Sequence, residues 1–171
     1  AGEAKLDAYL DDYACFISAL VALYETDFQD RWIRAAVALA ERMIRHFRDP
    51  DQPGFFYTAD DHERLIARVK DCLDSSVPSG NSAAAVALLR LGQLTARDDF
   101  LTAARETITA FAGIALESPT ACGQLLLAAD HLLGPSPQIV ILGDATGGAD
   151  TRLALAKLRP RFLPTTVAAF R

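Results

Sequence analysis

Apolar residues recur along this chain at alternating steps of four and three. Leu6, Leu10, Tyr13, Ile17, Leu20 and Tyr24 follow one another in this way, which places them on one face of a helix. Trp32, Ala36, Leu39, Met43 and Phe47 form a second stripe, closed by Asp49–Pro50, where proline cannot continue a helix. A third helix follows Pro78–Ser79–Gly80–Asn81–Ser82 and carries Ala84, Leu88, Leu91 and Leu94. A fourth begins near Arg97–Asp98 with Phe100, Ala104, Ile108, Phe111 and Ala115. A fifth follows Ser118–Pro119–Thr120 with Leu125, Leu126, Leu132 and Leu133, and stops at Gly134–Pro135.

Short joints near Thr26–Asp30 and Thr95–Asp98 predict antiparallel pairs for helices one and two and for three and four. About thirty residues separate helices two and three, too many for a structureless loop. Gly54–Phe55–Phe56–Tyr57–Thr58 reads as a strand, Asp60–Asp61–His62–Glu63 as a polar turn, and Leu65–Val69 as a return strand. That pattern predicts a β-hairpin at about 54–69. From Pro137 the pattern changes. Gln138–Leu142 reads as a buried strand, Gly143–Gly148 as a turn and Asp150–Leu158 as a helix; Phe162–Leu163 with Thr165–Val167 offers a second strand. The predicted organisation is mainly α. Residues 1–136 form helical hairpins with the β-hairpin inserted, and residues 137–171 form a small α/β tail packed on them.

Composition narrows the class. Of 171 residues, 51% are apolar and 23% charged, enough apolar surface to fold a core. The net charge of −5 argues against nucleic acid as the main partner, although the tail from Pro137 carries five basic and two acidic residues. No window approaches the ~18 uncharged apolar residues of a membrane span. Cys15, Cys72 and Cys122 are odd in number and widely spaced. They fit no zinc or dithiol motif, and read as reduced thiols of a cytoplasmic protein. The chain opens on Ala1 and its only methionine is Met43, so a native start upstream is expected.

If the helices alternate up and down, helices one, three and five start at one end of the molecule. That end collects Asp12, Tyr13, Asp74, Ser79, Asn81 and Gln124, together with the exit of the long connection. Function concentrates on long connections held by a rigid scaffold, and helix N-termini suit polar or anionic groups. The alternative is that Ser79, Asn81 and Ser82 simply cap helix three.

Several of these segments match a known family. Leu10–Asp11–Asp12–Tyr13–Ala14 is similar to its L-x-D-Y-A box, and Gly54–Phe55–Phe56–Tyr57–Thr58 to its G-G-F-F-x-T box. Asp74–Ser75–Ser76–Val77–Pro78–Ser79–Gly80–Asn81–Ser82 resembles its D-x-x-x-P-S-G-N-S box, and Val140–Gly143 its terminal strand. The family is that of the spermatogenesis-associated thioredoxin-like proteins, which join an N-terminal thioredoxin-like domain to a six-hairpin (α/α) barrel. The resemblance implies a partial (α/α) toroid, the C-terminal part of such a protein, with the thioredoxin-like domain as its natural partner. It also implies a likeness to six-hairpin glycosidases and sugar epimerases.

A carbohydrate-processing site needs an acid and a base or nucleophile across a pocket. Asp12 and Asp74 are the candidates for those roles, with Tyr13, Tyr57, Ser79, Asn81 and Gln124 as substrate-binding groups. The competing reading has both aspartates orienting loops and capping helices. His46, His62 and His131 form no pair, which speaks against epimerase chemistry. Asp60–Glu63 offers metal-ligand types but reads as an exposed turn, and no metal or cofactor is expected. The Gly143–Gly148 turn lacks nucleotide-binding spacing. Two functions follow: a sugar-binding or sugar-processing domain, or a non-enzymatic scaffold for the thioredoxin-like domain. Broad apolar faces on helices one and five predict that the chain alone self-associates, as a homodimer.

Overall fold

The computed structural model describes residues 6–63, 66–143 and 148–171. Five helices build the body: α1 (Leu10–Asp27), α2 (Asp30–Phe47), α3 (Gly80–Thr95), α4 (Asp98–Glu117) and α5 (Gly123–Leu133), the last preceded by a 3-10 turn at Pro119–Ala121. The tail adds β1 (Gln138–Ile141), α6 (Ala149–Leu158) and β2 (Val167–Phe170). The fold is mainly α, as the periodicity predicts.

Two sharp corners make the antiparallel pairs. Phe28 and Ala96, one residue past α1 and α3, both adopt left-handed backbone (φ 56° and 52°). Their N–H groups return to the carbonyls of Tyr24 and Gly92 and close each helix. Asp27 fixes the first corner further, because its carboxylate accepts from the Gln29 N–H and the Trp32 indole.

Helix α3 is the centre of the body. It packs against α1 on one side and α5 on the other, while α2 and α4 back the row as the return arms of the hairpins. Its alanine-rich stretch Ala83–Leu89 is buried apart from a half-buried Val86. Small side chains on both flanks let neighbouring backbones approach closely. Leu10, Ile17, Met43, Phe47, Leu88, Leu91, Phe100 and Leu125 fill the core around it.

Three expectations need correction. The region 54–69 holds no regular strand among the described residues. Phe55 makes an isolated antiparallel bridge to Arg48 at the end of α2, and the Phe56 N–H donates to the Phe47 carbonyl at 2.8 Å. The first arm therefore pairs with the helix end rather than with a return strand. Among the described residues one backbone bond, from the Tyr57 N–H to the Val69 carbonyl, joins the two arms, and the Arg68 guanidinium donates across them to the Thr58 carbonyl at 3.1 Å. Leu65, in the expected return strand, lies outside the described residues, as do residues 144–147 of the expected turn. The second tail strand is Val167–Phe170, later than the expected 162–167, and pairs in parallel with β1. The first helix also starts at Leu10, leaving Leu6 outside it and exposed.

Candidate functional site

α1, α3 and α5 begin at one end of the molecule. Leu10, the first residue of α1, lies so close to Gly80, the first of α3, that a Cβ on Gly80 would meet its side chain at 2.9 Å. The start of α5 is tied to the start of α3 through Asp74. One carboxylate oxygen accepts the Ser79 N–H at 2.9 Å, and the other accepts the Gln124 N–H at 2.7 Å. The Asp74 N–H in turn donates to the Ala121 carbonyl at 2.7 Å. One side chain thus satisfies N–H groups at two helix starts.

Asn81 performs the matching task for the long connection. Its Oδ1 accepts the Phe55 N–H at 2.7 Å, and its Nδ2 donates to the carbonyls of Phe55 and Asp71, both at 2.9 Å. The amide pairs with Phe55 as a strand neighbour would, which substitutes for the absent hairpin. It is almost fully buried, so each of these bonds replaces one that water cannot supply. Gly54 makes the approach feasible. Its φ of +95° excludes ordinary side chains, and a Cβ there would crowd the Phe111 ring and Asn81 Oδ1. Ser79 is the N-cap of α3: its Oγ accepts the Ser82 N–H at 3.3 Å and donates to the Ser82 hydroxyl at 2.7 Å. The Leu10 N–H donates to the Tyr57 carbonyl at 3.1 Å. The three motif boxes therefore form one latch.

Around this latch lies a cavity of about 330 Å³, lined by Asp11, Tyr57, Asp71, Ser75, Ser79 and Asn81 with Leu10, Val69 and Pro78 as apolar wall. Tyr57 is the main aromatic surface. One ring face stacks on Tyr9, with centroids 4.8 Å apart and planes 8° from parallel, and the side chain remains 40% exposed. Burial, then the charge of Asp11, raises its pKa, so its hydroxyl stays a protonated donor at neutral pH. Asp11 uses one carboxylate oxygen to accept the Asp12 N–H, and Asp71 one to accept the Leu73 N–H.

The predicted site residues divide. Tyr57, Ser79 and Asn81 meet at the cavity, while Asp74 braces it from behind and Gln124 contributes its main-chain N–H to that brace. Asp12 and Tyr13 do not face this cavity. They line a separate depression with Ala8, Phe16 and Leu39. Asp12 accepts the Tyr9 N–H at 2.9 Å and closes the first turn of α1, and the Tyr13 ring packs on Phe47. The carboxylates that line the cavity are Asp11 and Asp71. Sequence could not separate Asp11 from Asp12, since neighbouring residues at a helix start diverge by about 100° and only the tertiary contact with Tyr57 chooses between them.

The polar turn has its own arrangement. His46 Nδ1 sits 2.8 Å from Asp60 and 3.7 Å from Asp61, and Arg42 pairs with Asp61 at 3.5 Å. His46, Asp60 and Asp61 are the metal-ligand types gathered among the described residues. The hydrogen bond to His46 holds the Asp60 carboxyl below its usual range. His62 lies edge-on to Tyr9 and Phe47. No described helix is long and apolar enough to cross a membrane.

No protein-family model matches the chain. It is 31% identical over 160 residues to spermatogenesis-associated protein 20 of Mus musculus, and 30% identical over 160 residues to that of Homo sapiens. Both alignments cover 93% of this chain and 20% of the relative. An uncharacterized protein of Caenorhabditis elegans is 26% identical over 84% of the chain. The chain thus spans about a fifth of the length of the curated relatives it matches.

Proposed function

We propose, for a chain that belongs to the family of spermatogenesis-associated protein 20, that the cavity at the start of α1, α3 and α5 binds a small carbohydrate-like ligand. The observation that carries this reading is the contrast between engaged and available groups at the rim. Asp74 and Asn81 hold their hydrogen bonds within the fold. Tyr57, Asp11, Asp71 and Ser75 line the cavity, and Asp11 and Asp71 each commit only one carboxylate oxygen to a neighbouring backbone N–H. An aromatic face beside carboxylate acceptors suits the C–H face and hydroxyls of a sugar ring. A volume of about 330 Å³ falls at the small end of the ~300–1,000 Å³ typical of ligand pockets. Binding is favoured over hydrolysis because the Asp12 and Asp74 pair does not span the cavity.

Saturation-transfer NMR with a panel of mono- and disaccharides tests this. At least one sugar is expected to receive saturation from the wild-type chain and none from Tyr57→Ala, whose unfolding midpoint should stay close to wild type. A panel without binders, or binding that survives in Tyr57→Ala, overturns the reading. Turnover of a chromogenic glycoside that disappears in Asp11→Asn would replace binding by catalysis.

A second reading rests on an apolar surface of α4 and α5. Ile114, Leu116, Leu126, Leu127 and Leu133 leave apolar surface exposed at the end of α4 and along α5, Leu133 at 83%. We propose that in the longer relatives this flank packs on the remainder of the protein, including a thioredoxin-like domain, and that a second copy covers it when the chain is alone. A solution mass of twice the chain mass supports this; a monomer at all concentrations rejects it.

A further inference from the structure

Cys72 and Cys122 come from segments fifty positions apart and meet at the junction that Asp74 braces. Cys72 lies in the irregular segment before α3, and Cys122 is the N-cap of α5. The bond from the Asp74 N–H to the Ala121 carbonyl runs these two stretches side by side. Both cysteines are buried, and Cys122 is among the groups that raise the pKa of Cys72. Asp74 is two positions after Cys72 and Ala121 one before Cys122, so that backbone bond sets the two cysteines at neighbouring places on adjoining stretches, the arrangement a disulfide requires. Cys15, by contrast, is exposed on α1.

We propose that Cys72 and Cys122 form a reversible disulfide, closed by thiol–disulfide exchange with a small disulfide such as oxidised glutathione. One protein thiolate attacks the small disulfide, forming a mixed disulfide and displacing one thiolate. The second protein thiolate attacks the protein sulfur of that mixed disulfide and displaces the other. The protein loses two electrons and two protons, and the small disulfide leaves as two thiols. Access runs through the irregular segment, where Asp71 and Leu73 on either side of Cys72 are exposed. Burial, reinforced by Cys122, pushes the Cys72 thiol up to about 11. Cys72 therefore persists as a thiol at neutral pH and exchanges slowly.

The bond would tie the wall of the cavity to α5, because Asp71 and Leu73 line that cavity. It closes a long loop, and long loops gain most from cross-linking. Its formation does not depend on what the cavity binds.

The test treats the folded chain with oxidised glutathione, blocks remaining thiols with iodoacetamide and maps the peptides by mass. The expected result is a linked Cys72–Cys122 peptide pair with Cys15 either alkylated or carrying glutathione. The unfolding midpoint should rise by roughly 5 °C or more and fall back on reduction. Cys122→Ser should show no linked pair. Two results overturn the proposal: Cys72 and Cys122 both alkylated after oxidation of the folded chain, or a linked pair that forms only after denaturation. The wild-type map decides the matter even if a variant fails to fold.

Discussion

At the scale of single residues, the motif side chains are committed to the fold. Asn81 was legible as a site residue because of its box, but its task was not. Nothing in the sequence says that its amide would pair with Phe55, twenty-six positions away. Ser79 is simpler: a serine before a helical run reads as an N-cap, and it is one. His131 shows a different kind of commitment. It is buried in α5, with Nε2 at 2.8 Å from Gln93 Oε1, and Gln93 donates on to Ser136. Burial first, then the charge of Arg90, lowers its pKa, with Asp130 opposing. The folded state therefore keeps His131 neutral where the unfolded chain already binds a proton. Stability is full above the unfolded value of about 6.5 and declines as pH falls toward the folded pKa. Unfolding midpoints measured from about pH 7.5 to 5 should fall more steeply for wild type than for His131→Gln; parallel curves would remove His131 from the account.

At the scale of elements, the helices were the legible part. Their stripes, prolines and caps all agree, and agreement across levels is what makes a pattern readable. The excursion at 54–69 was not. Its aromatic and β-branched residues satisfy a strand pattern, yet the partners of Phe55 and Phe56 are Arg48, Asn81 and Phe47, all of them distant in sequence or on a helix end. Local pattern cannot name such partners. The junction of α1 and α3 gives a direct test of how tightly elements are fitted. Gly80→Ala places a methyl group 2.9 Å from Leu10 Cδ2 and 3.2 Å from its Cβ. Overpacking of this kind costs about 1–3 kcal/mol, so the variant should unfold at a lower denaturant concentration with an unchanged m-value. An unchanged midpoint would mean that the two helix starts are free to separate.

At the scale of the whole molecule, the two ends have different occupants. The starts of the odd helices carry the latch and the cavity, while the tail docks at the far end of α1. The Ala168 N–H donates to Glu25 Oε1 at 3.1 Å, and Glu25 also pairs with Arg90 of α3. Arg159 reaches the Thr26 carbonyl at 2.8 Å, and the Phe170 ring meets Phe28. Glu25 links the body and the tail strand, so Glu25→Ala should loosen the tail. Limited proteolysis is expected to cut the variant near residues 134–137 faster than wild type, leaving the helical body intact; equal rates would show that apolar contacts alone hold the tail.

We propose that Asp74 serves as a brace between two helix starts rather than as a reacting carboxylate. The unfolding midpoint of Asp74→Asn tests it most directly. The asparagine keeps the shape but turns an amino group toward one of the two backbone N–H donors, a loss of about 1–3 kcal/mol. Asp74→Asn should unfold at a midpoint several degrees below wild type. An unchanged or raised midpoint, the usual result of neutralising a strained catalytic carboxylate, would contradict it.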